Sequence, residues 1–323
     1  MPAYDSNIWH LRMKPQGNAN VINIDIQSIN QMEIDWDDGS GFVTLTEHAQ
    51  HLYASSDERI VKIRGVSCYS ISMANTVSLI EILNPIPFSY RQVTFMGCTN
   101  LVAIPTGLFG VRVNSEDYFR LFSFCTSLAT IPEGLFDNVI STNFNNAFDG
   151  CTMLSSIPEN LFANKNNLTS CSCIFQNCTS LTTIPSSVFA NSTNIQTFEY
   201  AFKGCTSLTT IPPTVFKSNT AAQVFDETFY GCTSLTTIPL DLFTYNVNAV
   251  SFVAVFANCS LITTIPSGLF RFCHLANDFS YAFAGCSKLT DIKGDMFPTQ
   301  GSIRYSSAFR DCPSLSWKFH LFI

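Results

Sequence analysis

Between residues 95 and 312 a phenylalanine and a cysteine return together nine times, always three residues apart. The pairs are Phe95 with Cys98, Phe122 with Cys125, Phe148 with Cys151, Phe175 with Cys178, Phe202 with Cys205, Phe229 with Cys232, Phe256 with Cys259, Phe283 with Cys286 and Phe309 with Cys312. Successive cysteines lie 27 or 26 residues apart. Three residues after each cysteine comes Leu, or Ile262 once; six after comes Ile in eight coils, and eleven after comes Phe in eight. Seven residues before most of them lies a further aromatic, such as Phe198, Phe225 or Tyr305. A fixed apolar skeleton with free spacers is the pattern of stacked repeats. One 27-residue coil holds too few large apolar side chains to offset the entropy of ordering it, so coils must bury one another.

Thirteen cysteines in a short secreted domain would indicate disulfides. In this 323-residue chain nine of them sit inside the skeleton between Phe and Leu, where a small buried thiol fits a tight interior corner. We expect reduced, packed cysteines rather than disulfides or metal ligands, and nine cannot all pair among themselves. Of the other four, Cys68, Cys171, Cys173 and Cys273, Cys171 takes an aromatic slot and also reads as core.

The run Ala201–Pro212, "AFKGCTSLTTIP", with the later pair Leu242 and Phe243, resembles the BspA-like leucine-rich repeats of bacterial and phage surface proteins. The likeness covers residues 95–323. It implies a right-handed solenoid of about nine 27-residue repeats, with a parallel sheet on one face around "SLTTIP" and turns or short helices opposite. Here Pro follows the Ile directly, and because it has no amide donor a strand should end there.

The first part of the chain differs. Ile22, Ile24 and Ile26 alternate with polar residues, as do Met32, Ile34 and Trp36, and Val61 and Ile63. A period of two predicts half-buried antiparallel strands. Trp36, Asp38, Gly39, His51 and Tyr53 resemble the turn and later H-x-Y of the polycystic-kidney-disease (PKD) type of β-sandwich, with Asp37 replacing a glycine. The expected organisation is a small PKD-like antiparallel β-sandwich over 1–65, a linker and cap over 66–94, and the solenoid over 95–323. Val77, Leu79, Ile80 and Ile82 are the candidate cap residues.

Catalytic patterns are missing. His10, His48, His51, His274 and His320 have no metal-ligand spacing, and there is no G-x-S-x-G or phosphate-binding Gly loop. Asp35, Asp37 and Asp38 are a weak calcium candidate, but position twelve of an EF-hand reading is Thr46, so a plain acidic turn is the first reading. No cofactor is expected. The sequons at Asn167, Asn177, Asn191 and Asn258 read as by-products of the repeat. Net charge is −7 without a basic block, which argues against nucleic acid, and no apolar run reaches the roughly 18 residues of a membrane span. The N-terminus lacks a basic segment followed by an apolar one, so no secretory signal is expected there.

Two surfaces remain as partner-binding candidates. One is a hydroxyl ladder: Thr182 and Thr183, Thr209 and Thr210, Thr236 and Thr237, Thr263 and Thr264. Its plain reading is strand preference. The other is the spacer after each "LF" pair, such as "ANKNNLTS", where both one-residue deletions fall. At the C-terminus Trp317, Phe319, Leu321, Phe322 and Ile323 form an apolar end that either folds back as a cap or docks on another subunit. These features, with the resemblance, lead us to expect a non-enzymatic recognition, adhesion and structural protein. Its partners would be a protein or glycan on a cell surface, or other structural subunits, with oligomerisation possible. The favoured context is a virion, as a phage fibre, tail or decoration protein made in the host cytoplasm. The alternative is a bacterial cell-surface or secreted adhesin. An ice- or crystal-surface binder through the threonines is disfavoured, because neighbouring residues of a strand point to opposite faces.

Overall fold

The computed structural model describes residues 4–17, 20–27, 29–110, 117–137, 139–294, 296–298 and 303–315. The N-terminal strands form where the period of two predicts them. β1 (Trp9–Met13), β3 (Glu33–Asp35), β4 (Val43–Thr44), β6 (Arg59–Arg64) and β8 (Leu79–Ile82) make one sheet in the order β4-β3-β6-β1-β8. β2 (Val21–Gln27), β5 (Ala49–Leu52), β7 (Ser70–Ser72) and β9 (Gln92–Thr94) make a second, in the order β5-β2-β7-β9. Ile22, Ile24 and Ile26 on β2 are buried, and Trp9, Leu11 and Met13 on β1 join them in one hydrophobic core.

Residues 66–94 change the pairing from antiparallel to parallel. β7 pairs antiparallel with β2 on one side and parallel with β9 on the other. β8 pairs antiparallel with β1, while Glu81 makes a parallel bridge to Ala103. Both sheets therefore run on into the first coil. Among the four cap candidates, Leu79 and Ile82 are buried, Ile80 is half-buried and Val77 is exposed.

From residue 95 onward the chain winds in coils of turns, with no helix among the described residues. Three aromatic columns run through its core. The first stacks the phenylalanines of the Phe-Cys register, with ring centroids 5.3 Å apart at Phe95 and Phe122 and 5.7 Å at Phe202 and Phe229, and planes within 7°. The second stacks the phenylalanines of the "LF" pairs, as in Phe216 on Phe243 at 6.1 Å. The third holds Phe198, Phe225, Phe252 and Phe279, again at 5.4–5.6 Å. The second and third columns meet edge to face, as at Phe225 and Phe243, 5.0 Å apart and inclined at 65°. Stacked rings at these separations must be offset, and both geometries suit the ring quadrupole. Cys171 interrupts the third column between Phe144 and Phe198 and is itself fully buried.

The parallel ladder lies only in part where the repeat resemblance places it. Its continuous form is a file of single bridges eight residues before each cysteine: Asp117, Asn143, Ser170, Thr197, Val224, Ser251, Asp278 and Arg304. At "SLTTIP" the only described strand pair is β10 (Thr264–Ile265) with β11 (Asp291–Ile292). The reason lies one residue later. There Lys293 replaces proline, and its amide donates to Ile265 O at 2.9 Å. Elsewhere Pro185, Pro212, Pro239 and Pro266 have no amide to give, so the pairing closes early.

The residue before each register cysteine has a left-handed backbone. Gly204 and Gly231 take it at φ 72° and 71°, and their amides donate to Tyr230 O and Ala257 O of the next coil. That is why "GC" opens the two perfect repeats. Phe124 occupies the same slot at φ 60°, a strained position for a bulky side chain, with its ring lying over Gly150.

Candidate functional surfaces

The cysteine register is a hydrogen-bonded column. Each Sγ donates to the carbonyl of the register phenylalanine in the preceding coil: Cys125 to Phe95 O at 3.1 Å, Cys205 to Phe175 O at 3.2 Å, Cys232 to Phe202 O at 3.3 Å and Cys312 to Phe283 O at 3.1 Å. Cys98 makes the first such bond, to Met73 O at 2.9 Å. The thiol is thus a small interior group that also satisfies a buried carbonyl. All thirteen cysteines are free. Burial pushes the thiols of Cys205, Cys259 and Cys273 up to about 12, far from nucleophilic reactivity at neutral pH.

A second donor column serves the "LF" phenylalanines. Lys165 Nζ reaches Phe136 O at 2.5 Å, Ser192 Oγ reaches Phe162 O at 2.6 Å, Asn219 Nδ2 reaches Phe189 O at 3.1 Å, and Asn246 Nδ2 reaches Phe216 O at 3.2 Å. Cys273 Sγ continues it to Phe243 O at 3.7 Å. The sequence reading missed this column. Its signal is a donor three residues after five successive phenylalanines of these pairs, from Phe162 to Phe270, in four different chemistries, whereas Val139 follows Phe136.

On the threonine segment expected to be a strand, side-chain alternation fails. Thr182, Thr183, Thr209, Thr210, Thr236, Thr237 and Thr263 are all exposed, and Thr264, within β10, is half-buried. A segment that does not form a regular strand need not alternate. The alternation argument against a crystal-surface binder therefore does not hold here. Thr209 Oγ1 donates to Thr182 O at 3.4 Å, which ties one coil to the next. The spacers are tied likewise: Asn194 Nδ2 donates to Asn166 O at 2.8 Å and Asn248 Nδ2 to Thr220 O at 2.9 Å.

The acidic turn is knit into the N-terminal sheets. Lys62 Nζ lies 2.9 Å from Asp35 Oδ2, and the Ile60 amide donates to Asp37 Oδ2 at 3.0 Å. Asp38 accepts from the Ser40 hydroxyl and amide, which hold its carboxyl below the usual range, and His51 Nε2 lies 3.3 Å away. His51 stacks on Trp36 at 5.2 Å, and Tyr53 donates its hydroxyl to Trp36 O at 2.6 Å. Among the described residues no group of three His, Cys, Asp or Glu side chains is placed to hold a metal ion. The apolar end from Trp317 to Ile323 lies outside the described residues.

A charged aromatic cluster, also unread in the sequence, sits beside the bridged ladder. Lys203 Nζ lies 4.8 Å from both the Tyr200 and Tyr230 rings and 2.6 Å from Glu227 Oε2. Burial, then the neighbouring carboxylates, raises the pKa of Glu199 beside it. Its sequence trace is the pair "EYAFK" and "DETFY" in adjacent coils.

These features define a stacked-coil protein with its register thiols inside and periodic files of hydroxyl and amide side chains at its surface. The family profile described as "BspA type Leucine rich repeat region" matches in six copies over residues 95–200 and 155–273. The chain belongs to that leucine-rich-repeat family. No curated protein sequence matches it. Among solved structures, a chain of the Drosophila Toll–Spätzle complex is 17% identical with TM-score 0.28, over 69% of this chain and 34% of that one. A leucine-rich cell surface protein from Faecalibacterium prausnitzii is 18% identical with TM-score 0.29, over 82% and 84%. A leucine-rich repeat protein from Bacteroides ovatus is 15% identical with TM-score 0.28, over 87% and 91%.

Proposed function

We propose that this protein is a non-enzymatic recognition protein of a bacterial cell surface or secreted fraction, binding protein partners along its solenoid. The observation that carries this is the division between core and surface. Every register thiol is buried and bonded to a carbonyl, while long files of Thr, Ser and Asn side chains face solvent. Such a surface suits extended recognition rather than chemistry at one point. Family membership supports the cell-surface setting over the virion setting, which has no independent support. In this reading about nine coils follow a PKD-like β-sandwich over 1–65, joined through 66–94. The meeting of Trp36, Asp38, His51 and Tyr53 in one cluster supports that module.

The setting is tested by labelling intact source cells with a membrane-impermeant amine reagent and fractionating them alongside purified phage particles. The protein should be labelled and recovered from the envelope or the medium. Recovery in the particles alone would reinstate the virion reading.

A further inference from the structure

One edge of the solenoid is a column of equivalent turns. In each, the amide just after the "LF" phenylalanine donates to the carbonyl three residues back: Asp137 to Gly134 at 3.1 Å, Ala163 to Asn160 at 2.9 Å, Ala190 to Ser187 at 3.0 Å, Lys217 to Thr214 at 3.0 Å and Arg271 to Gly268 at 2.9 Å. The side chains at this position therefore form one file along the stack, and its charge changes sign. After Gly110 the file reads Asp137, Ala163, Ala190, Lys217, Thr244 and Arg271, so the acidic side chain and Arg271 lie five coils apart with Ala190 and Lys217 midway between them.

The grooves beside the file differ in the same sense. At the N-terminal end a groove of about 460 Å³ is lined by Glu133, Asp137 and Glu159. At the C-terminal end a groove of about 820 Å³ is lined by Arg271, Lys293, Leu240 and Phe272, with Asp241 as its carboxylate. Lys293 is held by Asp291. Arg271, like Lys217, Glu133 and Asp137, makes no ion pair with a described residue. Large apolar side chains are exposed at both ends: Ile140 at 69%, Leu240 at 55% and Phe272 at 41%.

We propose that two copies of this chain pair side by side along this edge, antiparallel, with the acidic groove of each against the Arg271 groove of the other. Parallel pairing would set like charge on like. Antiparallel pairing satisfies both ends at once and closes under two-fold symmetry, so assembly stops at two. The same two-fold sets Ala163 opposite Thr244 and Ala190 opposite Lys217, so a small side chain meets each longer one across the middle of the edge, and Ile140, Leu240 and Phe272 lose solvent on contact.

Sedimentation equilibrium of the full chain tests this. The expected result is a monomer–dimer equilibrium that weakens as salt rises. Arg271→Glu and Asp137→Arg should each raise the dimer Kd by roughly tenfold or more, because each sets like charges together at both ends of the pair. An equimolar mixture of the two variants should recover the dimer. In that mixture the introduced glutamate faces the introduced arginine at one end, and the original Asp–Arg pairing remains at the other. Thermal melting checks that both variants fold, and Glu133→Arg replaces Asp137→Arg if the latter does not. A monomer at every concentration, a mass that grows past the dimer, variants that pair like the parent, or a mixture that stays monomeric would each overturn the proposal.

Discussion

Cys205 shows what one residue does in this protein. Its sulfur lies 3.2 Å from Phe175 O, a carbonyl 30 residues back in the chain, and both are sealed from water. Cys205→Ala keeps the packing small but leaves that carbonyl without a donor. We expect it to cost about 1–3 kcal/mol in urea unfolding, the penalty of an unsatisfied buried acceptor. A loss below a few tenths of a kcal/mol would mean the thiol only fills space. The same thiols set an alkaline limit. Cys205, Cys259 and Cys273 titrate at about 12 when folded, against an ordinary value of 9.0. The unfolded chain therefore sheds protons that the folded chain keeps. Stability from this source is full below pH 9 and falls as pH rises from 9 toward 12. Urea midpoints measured from pH 8 to 11 should decline over that range, and a flat profile would contradict the buried thiols.

Within a coil, the aromatic columns and the hydrogen-bonded ladders contribute differently. Phe202 is fully buried between Phe175 and Phe229. Phe202→Ala should cost about 3–5 kcal/mol through lost burial and the cavity left behind. Thr209, exposed on the adjoining segment, should lose no more than about 0.5 kcal/mol on Thr209→Ala. Equal losses would place the core on the wrong side of the coil. Proline decides how far the second ladder reaches. Pro266→Ala supplies an amide at the position where Lys293 bonds to Ile265 O one coil later. Hydrogen exchange should then show a protected amide at 266, bonded toward Ile238. Fast exchange there would mean that something other than the missing donor keeps the strands short.

For the whole molecule, the period itself is the prediction. Every slot of the coil meets the same slot one coil away, so stability is a sum over neighbouring interfaces. Deleting residues 204–230, one complete 27-residue period, rejoins Lys203 to Gly231 in register. The shortened chain should fold with an unchanged circular-dichroism signal per residue. Deleting 204–226 breaks the register and should abolish cooperative unfolding. If both deletions behave alike, the coils do not stack slot on slot.

The amino-acid sequence alone determined the coil. Phe, Cys, Leu, Ile and Phe recur at fixed offsets, and a side chain's burial within a coil is a local property that periodicity records. The alternation of Ile22, Ile24 and Ile26 determined the N-terminal strands for the same reason. Only the tertiary structure decided which backbone segments pair between coils, because that depends on amides and carbonyls that every residue except proline possesses. It also decided the donor column of Lys165, Ser192, Asn219, Asn246 and Cys273, and the charge reversal along the edge from Asp137 to Arg271. A slot that asks only for a hydrogen-bond donor accepts an ammonium, a hydroxyl, an amide or a thiol alike, so it leaves no repeated letter. Its acceptor lies about 30 residues away and becomes a neighbour only when the coils are stacked.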